Sequence, residues 1–159
     1  MKEDTFHNPT VGPLSFPEVV REIVAMIRGA PNAAYEIVIG TDSQTYHGVA
    51  DYVSAIVVHR LGKGGRYFWK RLRERAPKTL RERIWREAWL SYELARKLLA
   101  ALQKQEILGF HIEIHVDVGR AGRTRELVEE VVGMIRGGGF DVRTKPEAYA
   151  ASTVADKHT

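Results

Sequence analysis

The sequence predicts an α/β fold: a five-stranded mixed sheet, strands 1–3 antiparallel and strands 4 and 5 parallel to strand 1, flanked by helices and preceded by an extra N-terminal helix. Three observations carry this. The patterned segments run helix, then β-β-β-α-β-α-β-α. The first three strands are joined by tight turns, which only antiparallel neighbours allow. Each later strand follows a crossover long enough for a helix, which brings the chain back parallel to where it started. All 159 residues read as one domain, with residues 1–34 as an N-terminal helical extension.

The elements follow in order. Ser15-Phe16-Pro17-Glu18 is a capping box with proline at the first turn, and Phe16, Val20, Ile23, Val24 and Ile27 recur at helical spacing, so a helix spans about 16–28. Gly29, Pro31 and Asn32 end it. Tyr35–Thr41, rich in β-branched residues, reads as the first strand and stops at Asp42-Ser43-Gln44. A polar turn with His47 and Gly48 leads to a second strand, Tyr52–Leu61, and Gly62-Lys63-Gly64-Gly65 turns into a third, Arg66–Arg73. No Gly or Pro interrupts Thr79–Gln105, where Leu80, Ile84, Ala88, Ser91, Ala95, Leu98 and Leu102 form the stripe of a long helix. Phe110–Val118 alternates as a fourth strand. Thr124 caps a helix with Leu127, Val128, Val131, Val132 and Ile135 as its core face, Phe140–Thr144 makes a short fifth strand, and Pro146 opens a last helix over 147–157.

Composition narrows the chemistry. With 44% hydrophobic and 28% charged residues the chain is neither disordered nor low in complexity. No apolar run approaches the roughly 18 residues that span a bilayer, and the N-terminus lacks an apolar leader, so a soluble, unexported, cytoplasmic protein with no membrane partner is expected. The absence of cysteine excludes disulfides, thiolate metal sites and thiol nucleophiles, leaving oxygen and imidazole as metal ligands. The net charge of +4 is unevenly spread: residues 60–86 hold eleven Lys or Arg against two Glu, a local +9 that leaves the remainder at −5. Within this stretch Tyr67, Phe68, Trp69 and Trp85 interleave with the cations, as on surfaces that track phosphates and stack bases.

The acids form a second pattern. Asp42 closes the first strand and Asp117 lies near the end of the fourth, which the crossover rule sets parallel to it. Ligands of open α/β sheets bind outside that edge. Two carboxylates there repel unless one takes a proton or a cation lies between them, and hard divalent ions such as Mg²⁺ or Mn²⁺ prefer oxygen ligands. Glu87 and Glu93 of the long helix are candidate third ligands. Measured from Ile84 at the centre of the buried stripe, Glu87 falls about 60° away and Glu93 about 180° away, toward solvent. Asp156, on the last helix, is a fourth.

This order of elements with these acids resembles the ribonuclease H-like superfamily. The strings IGTDSQ (39–44), GKGGR (62–66), HVDVG (115–119), VVGM (131–134) and KPEAYAASTVADK (145–157) resemble, more closely, the small bacterial YkuK-type ribonuclease H-like family. The resemblance runs from about residue 35 to the end. It implies a nuclease fold in which Asp42, Glu87, Asp117 and Asp156 are catalytic and bind two ions, Mg²⁺ or Mn²⁺, for hydrolysis of nucleic-acid phosphodiesters. His158 is a candidate proton shuttle beside that site. Lys63, Arg66, Trp69, Lys70, Arg71, Arg73, Arg75 and Lys78 are the expected nucleic-acid contacts, with RNA, DNA and hybrid all open as substrates.

Other readings stand beside these. Asp42 can serve a turn, Glu87 can pair with Arg83 at i−4, and Asp156 can pair with Lys157. His111, Glu113 and His115 read as a polar strand surface near the exposed face of the sheet, because side chains at that pitch cannot all reach one ion. Gly62–Arg66 lacks P-loop spacing and reads as a turn. Gly119–Arg123 is a tight connection whose arginines lie beside Asp117. The basic stretch can also form a homodimer interface or an ion-pair network. The alternatives to a nuclease are a non-catalytic nucleic-acid-binding module and a structural or assembly protein.

Overall fold

The computed structural model describes residues 4–118 and 125–144. The N-terminal extension proves to be more than helical. It opens with a hairpin, β1 (Phe6–Asn8) and β2 (Gly12–Leu14), whose three-residue strands are too short to show alternation. Asn8 builds the turn: its Oδ1 accepts the N–H groups of Thr10 and Val11, both at 2.8 Å, and its Nδ2 donates to the Tyr67 carbonyl at 3.0 Å. Helix α1 (Phe16–Gly29) follows, with the capping box in place: the Glu18 N–H donates to Ser15 Oγ, and the Ser15 N–H to Glu18 Oε1.

The next strand outruns its expected end. β3 (Tyr35–Tyr46) and β4 (Val49–Arg60) pair antiparallel residue by residue, Asp42 opposite Val53. Asp42-Ser43-Gln44 keeps the strand's alternation and its backbone partners on β4, so these polar residues do not break it. The reversal comes at His47-Gly48, with φ of 48° and 79°, the doubly left-handed backbone of a two-residue hairpin turn. β5 (Gly64–Arg75) pairs with β4 without a bulge, from Gly64↔Arg60 to Arg75↔Val49. Thr79 caps α2 (Leu80–Lys104) by accepting the Glu82 N–H. Leu80, at the helix start, is exposed and stands outside the expected buried stripe. β6 (Phe110–His115), α3 (Arg125–Gly137) and β7 (Asp141–Arg143) complete the described chain. The helix expected over 147–157 and the connection 119–123 lie outside the described residues, as do Asp156 and His158.

One sheet results, ordered β2-β1-β5-β4-β3-β6-β7. Its inner run from β5 to β7 is the expected five strands in the expected orientations, with β6 parallel to β3 and β7 parallel to β6. The sheet has seven strands and not five, because the N-terminal hairpin adds two by pairing Phe6 with Lys70 and His7 with Trp69. α1, α2 and α3 share one face, where Phe6, Ile37, Ile39, Ile56, Val58, Phe68, Ile112 and Ile114 meet Ile23, Leu98, Val131 and Ile135. Among the described residues no helix is long and apolar enough to cross a membrane.

Two glycines test this description. A Cβ at Gly65 would stand 2.5 Å from the Val58 carbonyl oxygen, overpacking that costs roughly 1–3 kcal/mol. A Cβ at Gly133, inside α3, meets nothing within 4 Å, and alanine is roughly 1 kcal/mol better than glycine in a helix. Gly65→Ala should therefore lower the thermal unfolding midpoint and Gly133→Ala should raise it; a harmless Gly65→Ala would contradict the β4–β5 register.

Candidate functional site

The alternation of β3 distributes the site over both faces of the sheet. Thr41 and Ser43 face the helices. Thr41 Oγ1 lies 2.8 Å from both Ser54 Oγ on β4 and Ser91 Oγ on α2, a buried hydroxyl node that ties the two strands to the helix. One turn earlier on α2, Glu87 accepts the Ser43 hydroxyl at 3.0 Å, and Arg83 Nε stands 3.6 Å from the same carboxylate oxygen. Asp42, between Thr41 and Ser43, takes the opposite face, its Oδ1 accepting the Ser43 N–H at 2.9 Å. β6 accompanies β3 only as far as Gly40↔His115. Beyond that point, among the described residues, β3 has a strand neighbour on one side only, and its other edge is open beside Asp42. Asp117 lies two residues past that last pair, where the Val118 N–H turns back to the Val116 carbonyl. Thr41, Glu87, Ser91, His115 and Asp117 line a cavity of about 10 Å³ there, the room that about one water needs.

Glu87 carries the electrostatic signature of the site. Burial pushes its carboxyl up to about 8 from an ordinary 4.5; the Ser43 hydrogen bond and Arg83 pull it down, while Asp42 and Asp117 push it further up. Glu87 thus feels both aspartates. An all-oxygen donor set of this kind suits a hard divalent ion, and Asp42, Glu87 and Asp117 are the described residues that could hold one. They do not converge on one point: among the described residues no three His, Asp or Glu side chains are grouped closely enough to hold an ion. Glu87 is turned to Ser43 and Arg83. Glu93, the other candidate on α2, is exposed.

The pleat of β5 divides the expected nucleic-acid contacts. Phe68 is core, so its even-numbered neighbours share the helix face: Arg66 pairs with Glu22 of α1 at 3.3 Å and Lys70 with Asp4 at 2.7 Å. Trp69, Arg71, Arg73 and Arg75 take the face of Asp42. Lys63 lies in the β4–β5 turn and Lys78 in the segment before α2. These eight residues therefore do not line one surface, because a strand alternates and a charge count does not. His111 is exposed as expected, but Glu113 and His115 are buried. Glu113 Oε1 is 2.7 Å from His115 Nε2 and 2.5 Å from Arg143 Nε on β7, a pairing between strands that removes them from the exposed face. Sequence reasoning missed the hydroxyls of Thr41, Ser43 and Ser54, and the buried Asp51. One hint was present: Ser91 interrupts an otherwise apolar stripe, as a buried hydroxyl with a partner would.

An inner sheet ordered β5-β4-β3-β6-β7, with α1, α2 and α3 on one face and Asp42, Glu87 and Asp117 near the point where β3 and β6 part, defines a ribonuclease H-like architecture. The family model described as Ribonuclease H-like matches residues 18–159, and the chain belongs to that family. It is of the YkuK type, being 30% identical over 168 residues to the uncharacterized protein YkuK of Bacillus subtilis (strain 168), an alignment covering 97% of this chain and 96% of that protein. No solved structure matches it.

The raised Glu87 carboxyl makes stability depend on pH in a defined direction. Between its ordinary 4.5 and about 8 the folded state holds a proton that the unfolded state has released, so stability falls as pH rises through this window, by on the order of a few kcal/mol. In chelator, urea unfolding of wild type should show less stability at pH 8 than at pH 5, and Glu87→Gln should remove most of that difference. A pH slope equal in wild type and Glu87→Gln would rule out Glu87 as its source.

Proposed function

We propose that this protein hydrolyses nucleic-acid phosphodiesters with Mg²⁺ or Mn²⁺, at a site made of Asp42, Glu87 and Asp117, with Asp156 as the fourth ligand. The supporting observation is the half-buried Glu87 carboxyl held between β3 and α2, whose charge is opposed by desolvation and by Asp42 and Asp117, an arrangement of acids that a divalent ion would relieve. Two bound ions would supply the positive charge that stabilises attacking and leaving oxygens and would ease deprotonation of the attacking water. The protein's own residues have simpler tasks. Asp42, Glu87 and Asp117 would hold the ions and need not act as nucleophiles. Ser43 and Arg83 orient the Glu87 carboxylate, and the Thr41–Ser54–Ser91 node keeps α2 seated against β3. Membership of the ribonuclease H-like family agrees with a nucleic-acid substrate.

The test incubates purified protein with single-stranded, duplex and hybrid oligonucleotides plus Mg²⁺ or Mn²⁺. Wild type should cut at least one of them. Asp42→Asn and Asp117→Asn should each lose roughly two orders of magnitude or more of the rate, the scale on which transition-state charge stabilisation is lost. Cleavage surviving in both variants, or missing from wild type with every substrate and ion, would overturn the reading; binding without cleavage would then mark a nucleic-acid-binding module, and neither would mark a structural protein.

A further inference from the structure

Asp51 is 4% exposed on the face of the sheet that carries Asp42, away from the three helices. The continuous registers of β3, β4 and β5 arrange two parallel rows across the strands: Asp42, Val53 and Arg71 in one, Gln44, Asp51 and Arg73 in the next. Asp51 Oδ1 lies 3.0 Å from Arg71 Nε and 3.8 Å from Arg73 Nε, an ion pair with each. Carboxylates and phosphates take a guanidinium most tightly through two parallel bonds to its fork. Arg71 also lies over the Trp69 ring at 5.6 Å, and that ring packs against His7 with centroids 4.6 Å apart and planes tilted by 32°.

A buried carboxylate between two arginines does not serve to add positive charge; it lowers it. What it does is overcome the mutual repulsion of two guanidiniums on one side of a strand and fix their direction. We propose that Asp51 is a positioning residue that sets Arg71 and Arg73 as a clamp for a phosphate of the bound nucleic acid. The proposal rests on the reading that the substrate is a nucleic acid. Side chains of Arg71 and Arg73 are 32% and 65% exposed, reachable by a ligand on that face. β3 and β5 are two strand spacings apart, about 9.6 Å, so with about 3.4 Å per stacked nucleotide the clamped phosphate lies within about three nucleotides of one at Asp42. Arg66 and Lys70, on the far side of the sheet, would not touch a strand held there.

The experiment measures binding of fluorescein-labelled single-stranded DNA, single-stranded RNA and hybrid oligonucleotides by anisotropy, in chelator, over a series of salt concentrations. Asp51→Asn adds one net positive charge, so a merely neutralising Asp51 predicts tighter binding in the variant, whereas a positioning Asp51 predicts roughly 3- to 10-fold weaker binding. Arg73→Gln, an exposed position that the fold tolerates, should weaken binding and reduce the salt slope by about one phosphate contact. Arg66→Gln and Lys70→Gln should leave that slope unchanged. Tighter or equal binding by Asp51→Asn, or a slope that Arg73→Gln shares with Arg66→Gln, would overturn the proposal. Cleavage plays no part in the measurement: altered slopes without any cleavage would keep the clamp and remove the hydrolase, and cleavage with unaltered slopes would do the reverse.

Discussion

The pairing register of β3 is the constraint from which the rest follows. It is held on one side by twelve antiparallel pairs with β4 and on the other by six parallel pairs with β6, and the Thr41–Ser54–Ser91 hydroxyls pin it to α2. Because a strand has a period of two, a slip of one residue would exchange its faces. Thr41 and Ser43 would lose their partners on the helix, Asp42 would turn toward it, and the row from Asp42 to Arg71 would dissolve. A polar anchor suits this task better than an apolar one, since a hydroxyl left unpaired in the interior is costly, while a shifted apolar side chain finds other contacts.

The acids depend on that register but also on where β6 stops. Had it accompanied β3 to its end, the edge of β3 beside Asp42 would be closed by backbone pairing and not left open to side chains. The early departure of one strand leaves a place where groups from two faces and from a following loop act on one carboxyl. Burial then makes the interaction strong, because a carboxylate lifted out of water is sensitive to every neighbouring charge. Arg83, on the same helix turn, offsets part of this.

Much of this was readable in the chain and some was not, for physical reasons. The capping box at Ser15, the stripe of α2 and the orientation of the crossovers depend on local residues or on chain handedness, and they stand as expected. So does the placing of Glu87 nearer the sheet than Glu93, which is helix geometry alone. The continuation of β3 past Asp42 was hidden because Asp-Ser-Gln has turn composition; only pairing to β4 keeps it extended. The hairpin of β1 and β2 was hidden because three residues carry no period, and it exists through its contact with β5. The basic stretch had a legible charge but not a legible surface, since only the observation that Phe68 is core assigns its neighbours to faces. Burial of Glu113 and His115 depends on Arg143, 30 residues further on, and no local pattern foretells it.

That same N-terminal hairpin has a bearing on how the protein lives in a crowded solution. β5 is twelve residues long, and uncovered it would be an outermost strand offering a row of free amides and carbonyls to any passing chain. β1 covers part of it, and the new outermost strand, β2, is three residues with Pro13 at its centre, which cannot donate a backbone hydrogen bond. The stretch of β5 beyond β1 carries Arg71, Arg73 and Arg75, and like charges discourage a second copy from docking there. A few residues ahead of the first helix thus turn a potentially adhesive rim into a closed one, protecting the assembly of strands from growing into its neighbours.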